Sequence, residues 1–433
     1  MFCTIPAPKR TGLRPMGTVS AIVPTFNRAH LIAECLESLL RQTRPLAEII
    51  VVNDGSTDKT VEVLQGYAGR VQVINQNNAG KAAALNRALA ESHGYYIWIC
   101  DDDDVAEPDA CANLAGALDN CVESGFAYGR FQRFRTAGGV REIMAMSYWP
   151  DEHEVDLFLA LAERCFIFQF SSMVRRATYQ TVGQFDETLL RSQDYDMNLR
   201  VARRHKGTFV PKLIFWQRQH SGGRGGFADH FSVDLAEYKW MQYDHVIFRR
   251  LLPTLSQDEL TPTFAKSWAP ELRQRAAALQ LTCIAGRHAL WVEALDALDK
   301  ANSVSPTVAA LPEELAIAGR ILAEQGMVRT LITDGCLCKR LTALLRRSTF
   351  CKSIAPALAA PLFWQVRNCA TGQNLTETWR RLKLLVHIVG LPHAIDSGSA
   401  RLKKRLKLTA RNGIEGKWEE VARRTMNDGN GAP

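Results

Sequence analysis

The chain has 433 residues, 46% of them hydrophobic and 23% charged. That is enough for two or three domains with a sizeable core, and it excludes disordered and collagen-like classes. No apolar run approaches the roughly 18–20 residues that a membrane-spanning helix needs. Lys9, Arg10 and Arg14 precede no apolar h-region, so a secretory signal is not expected and the location expected is cytoplasmic.

The net charge of +8 is unevenly spread. From Leu331 onward there are 18 Lys/Arg and 7 Asp/Glu, a net +11, which leaves −3 for the rest. A basic C-terminal quarter favours anionic partners. The 11 cysteines lack paired spacing and read as reduced thiols. Cys336 and Cys338 have no second Cys/His pair at zinc spacing.

Residues 1–17 hold three prolines and two glycines and read as an extension. Strands and helices then alternate. Val19–Pro24 is a β-branched run that predicts a strand, and Leu31–Arg41 an amphipathic helix. Ala47–Asn53 reads as a buried strand. Ser56-Thr57-Asp58 reads as the cap of a helix from Lys59 to about Tyr67. Val71–Asn75, the Ala-rich Lys81–Glu91 and Tyr95–Cys100 continue as strand, helix and strand, and a helix is predicted over Ala106–Leu118. This β-α-β-α-β-α-β order predicts a mainly parallel sheet covered by helices on both faces.

Further on, Ala127–Phe134 and Arg141–Met146 read as a hairpin around Gly138-Gly139. Asp156–Arg164 reads as a helix, Phe166–Val174 as a strand, Thr188–Lys206 as mostly helix and Thr208–Phe215 as a strand. The run Ser221–Gly226 reads as a loop, and beyond about 235 only helices are predicted. The domains expected are 18–235 and a basic, mainly α-helical 236–433.

Ligands of such sheets bind outside the C-terminal strand ends. Pro24–Arg28, Asp54, Asn77–Lys81 and Asp101–Asp104 all follow strands and converge there. Four adjacent carboxylates are costly without a cation, and hard oxygen ligands suit Mg²⁺ or Mn²⁺. Strand alternation would point Asp101 and Asp103 one way and Asp102 the other. Asp54 could accept a base N–H, and Lys81 could meet a phosphate at a helix N-terminus. Asn77–Lys81 lacks the first glycine of a P-loop, and no G-x-G-x-x-G follows the first strand, which argues against a dehydrogenase. Asp194 and Asp196 read equally as first-turn acids of a helix, and His220 as a surface residue or a ligand beside a closing loop.

The blocks Val19–Arg28 (VSAIVPTFNR), Glu48–Asp58 (EIIVVNDGSTD), Asn78–Leu89 (NAGKAAALNRAL), Tyr96–Asp109 (YIWICDDDDVAEPD) and Val182–Ala202 (VGQFDETLLRSQDYDMNLRVA) occur in a telling order. Over about residues 18–225 the chain resembles the family-2 glycosyltransferases of the GT-A fold. The resemblance implies that Pro24, Thr25, Asn27 and Arg28 line the nucleotide, that Asp54 pairs with a uracil and that Lys81 lies near base or diphosphate. Asp101 and Asp103 look like the family's D-x-D. Asp103 would bind the cation with His220, Asp101 the ribose or metal shell, and Asp102 and Asp104 would adjoin the donor sugar. Asp194 looks like the catalytic base. Where the family usually has Glu before that Asp, this chain has Gln193.

The function expected is therefore metal-dependent, inverting transfer of a hexose or N-acetylhexosamine. The donor expected is a nucleotide-sugar, a UDP-sugar by the resemblance, and the acceptor a surface glycan or lipid-linked precursor. A sugar nucleotidyltransferase would want a glycine-rich loop near the first strand, which is absent. The alternative of another class is a catalytically weak nucleotide- or glycan-binding scaffold. The basic runs Arg380–His387 and Arg401–Leu408 are amphipathic and suit helices packed on the rest or an anionic membrane at the inner cell face. They lack interleaved aromatics, so nucleic acid is not an expected partner.

Overall fold

The computed structural model describes residues 17–138, 140–144, 156–219 and 236–389. The chain divides into two compact units between Thr254 and Leu255.

In the first unit the strands are β1 (Val19–Thr25), β2 (Glu48–Asp54), β3 (Gln72–Gln76), β4 (Tyr96–Ile99), β5 (Val105–Ala106), β6 (Ser124–Ala137), β7 (Val140–Ile143), β8 (Ser172–Arg175) and β9 (Lys206–Gln219). Its helices are α1 (Ile32–Leu40), α2 (Thr60–Gln65), α3 (Lys81–Glu91), α4 (Ala110–Asn120), α5 (Leu157–Glu163), α6 (Arg176–Val182), α7 (Gln193–Arg204) and α8 (Ala236–Leu251).

The strands form one mixed sheet in the order β3-β2-β1-β4-β8-β6-β9-β5, with β7 on β6. The four N-terminal strands β3, β2, β1 and β4 run parallel, as crossover helices require. Beyond β4 the direction reverses at β8 and again at β6. β1, β2 and β4 are continuous apolar runs because both faces are covered; Ile22, Ile50, Val51 and Trp98 are wholly buried. Trp98 spends its indole N–H on the carbonyl of Phe170, 2.9 Å away, and stacks edge-on to that ring.

Several boundaries differ from the sequence pattern. Residues 169–171 of the predicted strand Phe166–Val174 form a 3₁₀ turn, closed by Ser171, whose hydroxyl accepts the Phe168 N–H at 3.0 Å. The helix expected over Thr188–Lys206 begins at Gln193, after Ser192 in the left-handed region (φ 56°). The helix expected from Ala106 starts at Ala110, since Val105 and Ala106 pair with β9 as strand β5.

The second unit is helical: α9 (Gln257–Leu260), α10 (Pro270–Arg287), α11 (Trp291–Ser303), α12 (Pro312–Ile321), α13 (Gln325–Thr333), α14 (Gly335–Leu345), α15 (Thr349–Thr371) and α16 (Leu375–Val389). Small residues on α10 let its neighbours approach closely. At its core the fully buried Arg275 forms two hydrogen bonds to Glu314, of 2.8 and 2.7 Å, and its guanidinium lies 4.5 Å from the Phe350 ring centroid. No helix is long and apolar enough to cross a membrane among the described residues.

Candidate active site

The parallel strands end in polar segments, and these segments are tied to one another. After β1, Asn27 adopts φ 52° and its side-chain oxygen accepts the Thr57 N–H at 2.7 Å. Its own N–H donates to the Ser56 hydroxyl (2.9 Å), while Arg28 N–H donates to Thr60 and Ala29 N–H to Asp58. The Ser56–Asp58 run therefore has two roles, since Asp58 also accepts the N–H of Thr60, the first residue of α2, at 2.9 Å. It serves as acceptor for the loop after β1 and holds the two strand ends together.

Asp54, 4% exposed at the end of β2, organises the loop after β3. Its carboxylate accepts the N–H groups of Ala79 (2.8 Å) and Gly80 (2.9 Å) and the Gln76 amide (2.8 Å). Gly55 sits at φ +77°, and a Cβ there would lie 2.7 Å from the Asn78 nitrogen, so the turn needs glycine. Gly80, at φ +92°, delivers the chain into α3. The first residue of that helix, Lys81, places its ammonium 2.5 Å from Asp101 Oδ1.

The acidic run is a turn, closed by the Asp104 N–H on the Asp101 carbonyl at 3.3 Å. Extended alternation is lost, yet the carboxylates still divide in pairs. Asp102 and Asp104 are buried, while Asp101 and Asp103 are half-buried. Arg28 lies 3.7 Å from Asp102 and 4.0 Å from Asp103. Asp104 accepts the Arg218 N–H at 2.8 Å.

Burial, with Asp103 close by, pushes the Asp102 carboxyl up to about 7 against the pull of Thr25 and Arg28. Burial and the same neighbour push Asp104 well up. Both shifts mark burial and mutual repulsion among the four carboxyls that Arg28 and Lys81 do not fully offset. Asp194, in the first turn of α7, is raised by burial and lowered by Lys81, while Asp101 opposes that lowering. Burial alone would lower Lys81, but Asp101, Asp194 and Asp103 hold its proton far above the ordinary lysine range. Lys81 thus couples the acidic turn to Asp194.

The predicted residues Pro24, Thr25, Asn27, Arg28, Asp54, Lys81 and Asp101–Asp104 all lie at or just beyond the strand ends, with Asp194 in electrostatic reach of Lys81. His220, Gly139, Ser221–Gly226 and Arg401–Leu408 lie outside the described residues. Among the described residues no group of three His, Cys, Asp or Glu stands close enough to hold a metal ion. The excess of hard, crowded carboxylate oxygens still fits a hard divalent cation.

Three residues were not anticipated. Arg218, on β9, donates to the Asp103 carbonyl (3.0 Å) and is ion-paired with Glu34 of α1, so it clamps the acidic turn from the far side. Its place two residues before His220 is the one available signal. Gln169 is buried in the 3₁₀ turn that leads into β8, which runs back from the C-terminal end of β4. Neither side-chain amide atom of Gln169 has a hydrogen-bond partner among the described residues. Asp244 of α8 accepts from Ser192 beside Asp194; burial first, then Asp194, sets its carboxyl at about 7 against that hydrogen bond. It brings a second carboxylate near Asp194, where Gln193 brings none, and nothing in the local sequence marks it.

Residues 20–183 match the family model "Glycosyl transferase family 2". A chondroitin synthase and a hyaluronan synthase of Pasteurella multocida are each 31% identical over 201 residues, 46% of this chain and 20% of theirs. The glycosyltransferase EpsJ of Bacillus subtilis is 45% identical over 89 residues, 20% of this chain and 26% of its own. The chain therefore matches only about a fifth to a quarter of the length of these relatives. Among solved structures, S. aureus TarS aligns with a TM-score of 0.46 at 17% identity, covering 74% of this chain and 54% of that one.

Proposed function

Residues 20–183 being a family 2 glycosyl transferase domain, we propose that this chain moves a sugar from a nucleotide-sugar, a UDP-sugar in our reading, onto a hydroxyl of a glycan or lipid-linked acceptor. The observation that carries the proposal is the meeting of Arg28, Asp54, Lys81 and Asp101–Asp104 at the ends of parallel strands, with Asp194 coupled to them through Lys81. An anionic membrane surface is the further partner proposed for the basic C-terminal stretch.

In this mechanism the loops after β1 and β2 receive the nucleoside. Asp54 keeps lone-pair capacity beyond its three hydrogen bonds for a base N–H. Asp103, with His220, would hold Mn²⁺ or Mg²⁺, which when bound offsets charge on the leaving diphosphate. Asp102 and Asp104 adjoin the donor sugar. Asp194 accepts the proton of the acceptor hydroxyl as that oxygen attacks the anomeric carbon. The new carbon–oxygen bond forms as the bond to the diphosphate oxygen breaks, the electron pair leaves with the diphosphate, and the anomeric centre inverts. Lys81 favours the ionised form of Asp194 that this step needs.

The test is release of nucleoside diphosphate from a panel of nucleotide-sugars with Mn²⁺, with and without EDTA, beside Asp103→Ala. Turnover of one donor, lost with EDTA and in the variant, supports the reading. Absence of both turnover and nucleotide binding across the panel overturns it.

A further inference from the structure

We propose that the exposed face of the α15–α16 hairpin is a docking surface for an anionic lipid bilayer. The inference rests on the membrane partner proposed above and assigns it a place in the described structure.

Three large apolar side chains stand in solvent on these two helices: Trp364 at 56% exposure, Leu375 at 76% and Trp379 at 67%. A buried position is the ordinary place for tryptophan, and two within about two turns of one interhelix loop are unusual. Leu375, Trp379 and Lys383 follow one another at four-residue steps, so they form one stripe along α16. On α15, Trp364 and Arg367 are three apart and share a face in the same way.

The charges around them have one sign. Lys352, Arg367, Arg380 and Lys383 are exposed, while the only acid between 349 and 389, Glu377, is buried and bound to Arg381 and Arg380. Elsewhere in this unit surface charges alternate: Asp296 and Asp299 of α11 pair with Arg340 and Arg347. Indole rings beside unopposed basic side chains match the headgroup level of an anionic bilayer. There the rings lie at the polar–apolar boundary and the cations meet phosphate. The following segment Arg401–Leu408, with five basic residues and no acid, is a poor cover for this face, because like charges would meet. A negatively charged surface accommodates both.

The experiment is co-sedimentation of the full chain with vesicles of phosphatidylcholine alone or mixed with phosphatidylglycerol, at low salt and at about 0.5 M salt. Three proteins are compared: wild type, Trp364→Ser/Trp379→Ser and Arg367→Gln/Lys383→Gln. These positions are exposed, and thermal unfolding is read alongside to show that each variant folds. Wild type should bind the mixed vesicles, weaken in high salt and bind neutral vesicles poorly. Each double variant should lose about tenfold or more in partitioning while its turnover of a soluble donor stays unchanged. Wild-type binding by both variants would overturn the proposal, as would equal binding to neutral vesicles or none to any. Wild type that turns over a donor but binds no vesicles counts against this face alone. Lost turnover with vesicle binding intact counts against the enzymatic reading alone.

Discussion

The Lys81 ammonium lies 2.5 Å from Asp101 Oδ1, which joins the N-terminus of α3 to the turn after β4. The same ammonium acts on Asp194, so a nucleotide-side residue and the proposed base share one cation. Any change in that cation should be read in the ionisation of Asp194.

Lys81→Met should move the acid limb of the kcat profile to higher pH. Burial already raises Asp194, and Lys81 is the group that offsets it. A base must be ionised to accept a proton, so losing the cation narrows the active range from its acid side. Rate measurements from pH 4.5 to 8 at saturating donor check this, with a loss of roughly tenfold or more expected near the acid end. An unmoved limb would uncouple the two residues.

Asp244→Asn should leave that limb in place, since a carboxyl that titrates at about 7 is already neutral where Asp194 takes up its proton. It should instead alter stability, with a definite sign. The folded carboxyl titrates at about 7 against an ordinary 3.8. The wild type therefore pays nothing below the lower value and a growing penalty as pH rises through the higher one. The variant should match wild type near pH 4 and exceed it at pH 8 by on the order of 1–3 kcal/mol. Thermal unfolding at the two pH values decides the matter. Equal differences at both would remove the titration argument.

Asp54→Asn should destabilise the loop after β3. One face of the amide would present N–H groups to N–H donors, which leaves the Ala79 or Gly80 nitrogen unsatisfied. A cost of about 1–3 kcal/mol follows, together with weaker nucleotide binding. Calorimetric titration with UDP beside a melting curve separates the two effects.

In the helical unit, Glu314→Ala should be far more damaging than the paired change Arg275→Met/Glu314→Leu. The single change leaves a buried guanidinium without its carboxylate, at about 3–5 kcal/mol, whereas the double change removes both charges. Differential scanning calorimetry of the two variants gives the comparison.

Much of the fold was legible because its signals are local. Val19–Thr25, Glu48–Asp54 and Tyr96–Ile99 are apolar strands that stop where the chain turns polar, and the stop marks the ligand edge. What was misread depended on distant partners. Ser56 and Asp58 look like caps of the next helix, but Ser56 is taken by Asn27, about 30 residues earlier, and Asp58 divides its carboxylate between Ala29 and the Thr60 N–H that opens α2. The apolar run Phe166–Val174 fits a strand equally well, but it becomes strand only from Ser172, after the turn that Ser171 closes. The alternation expected of Asp101–Asp104 fails because β4 ends at Ile99 and the run curls. Arg218 reaches the acidic turn from 114 residues beyond Asp104, and Asp244 reaches the start of α7 from another helix, where no spacing rule could reveal either contact.

The most direct test compares wild type with Asp194→Asn for UDP affinity and for transfer from the donor that the panel selects. The variant should bind UDP as wild type does and lose transfer by about 10²-fold or more, since the base is removed while the nucleotide loops stay intact. Transfer at the wild-type rate by Asp194→Asn would contradict the account.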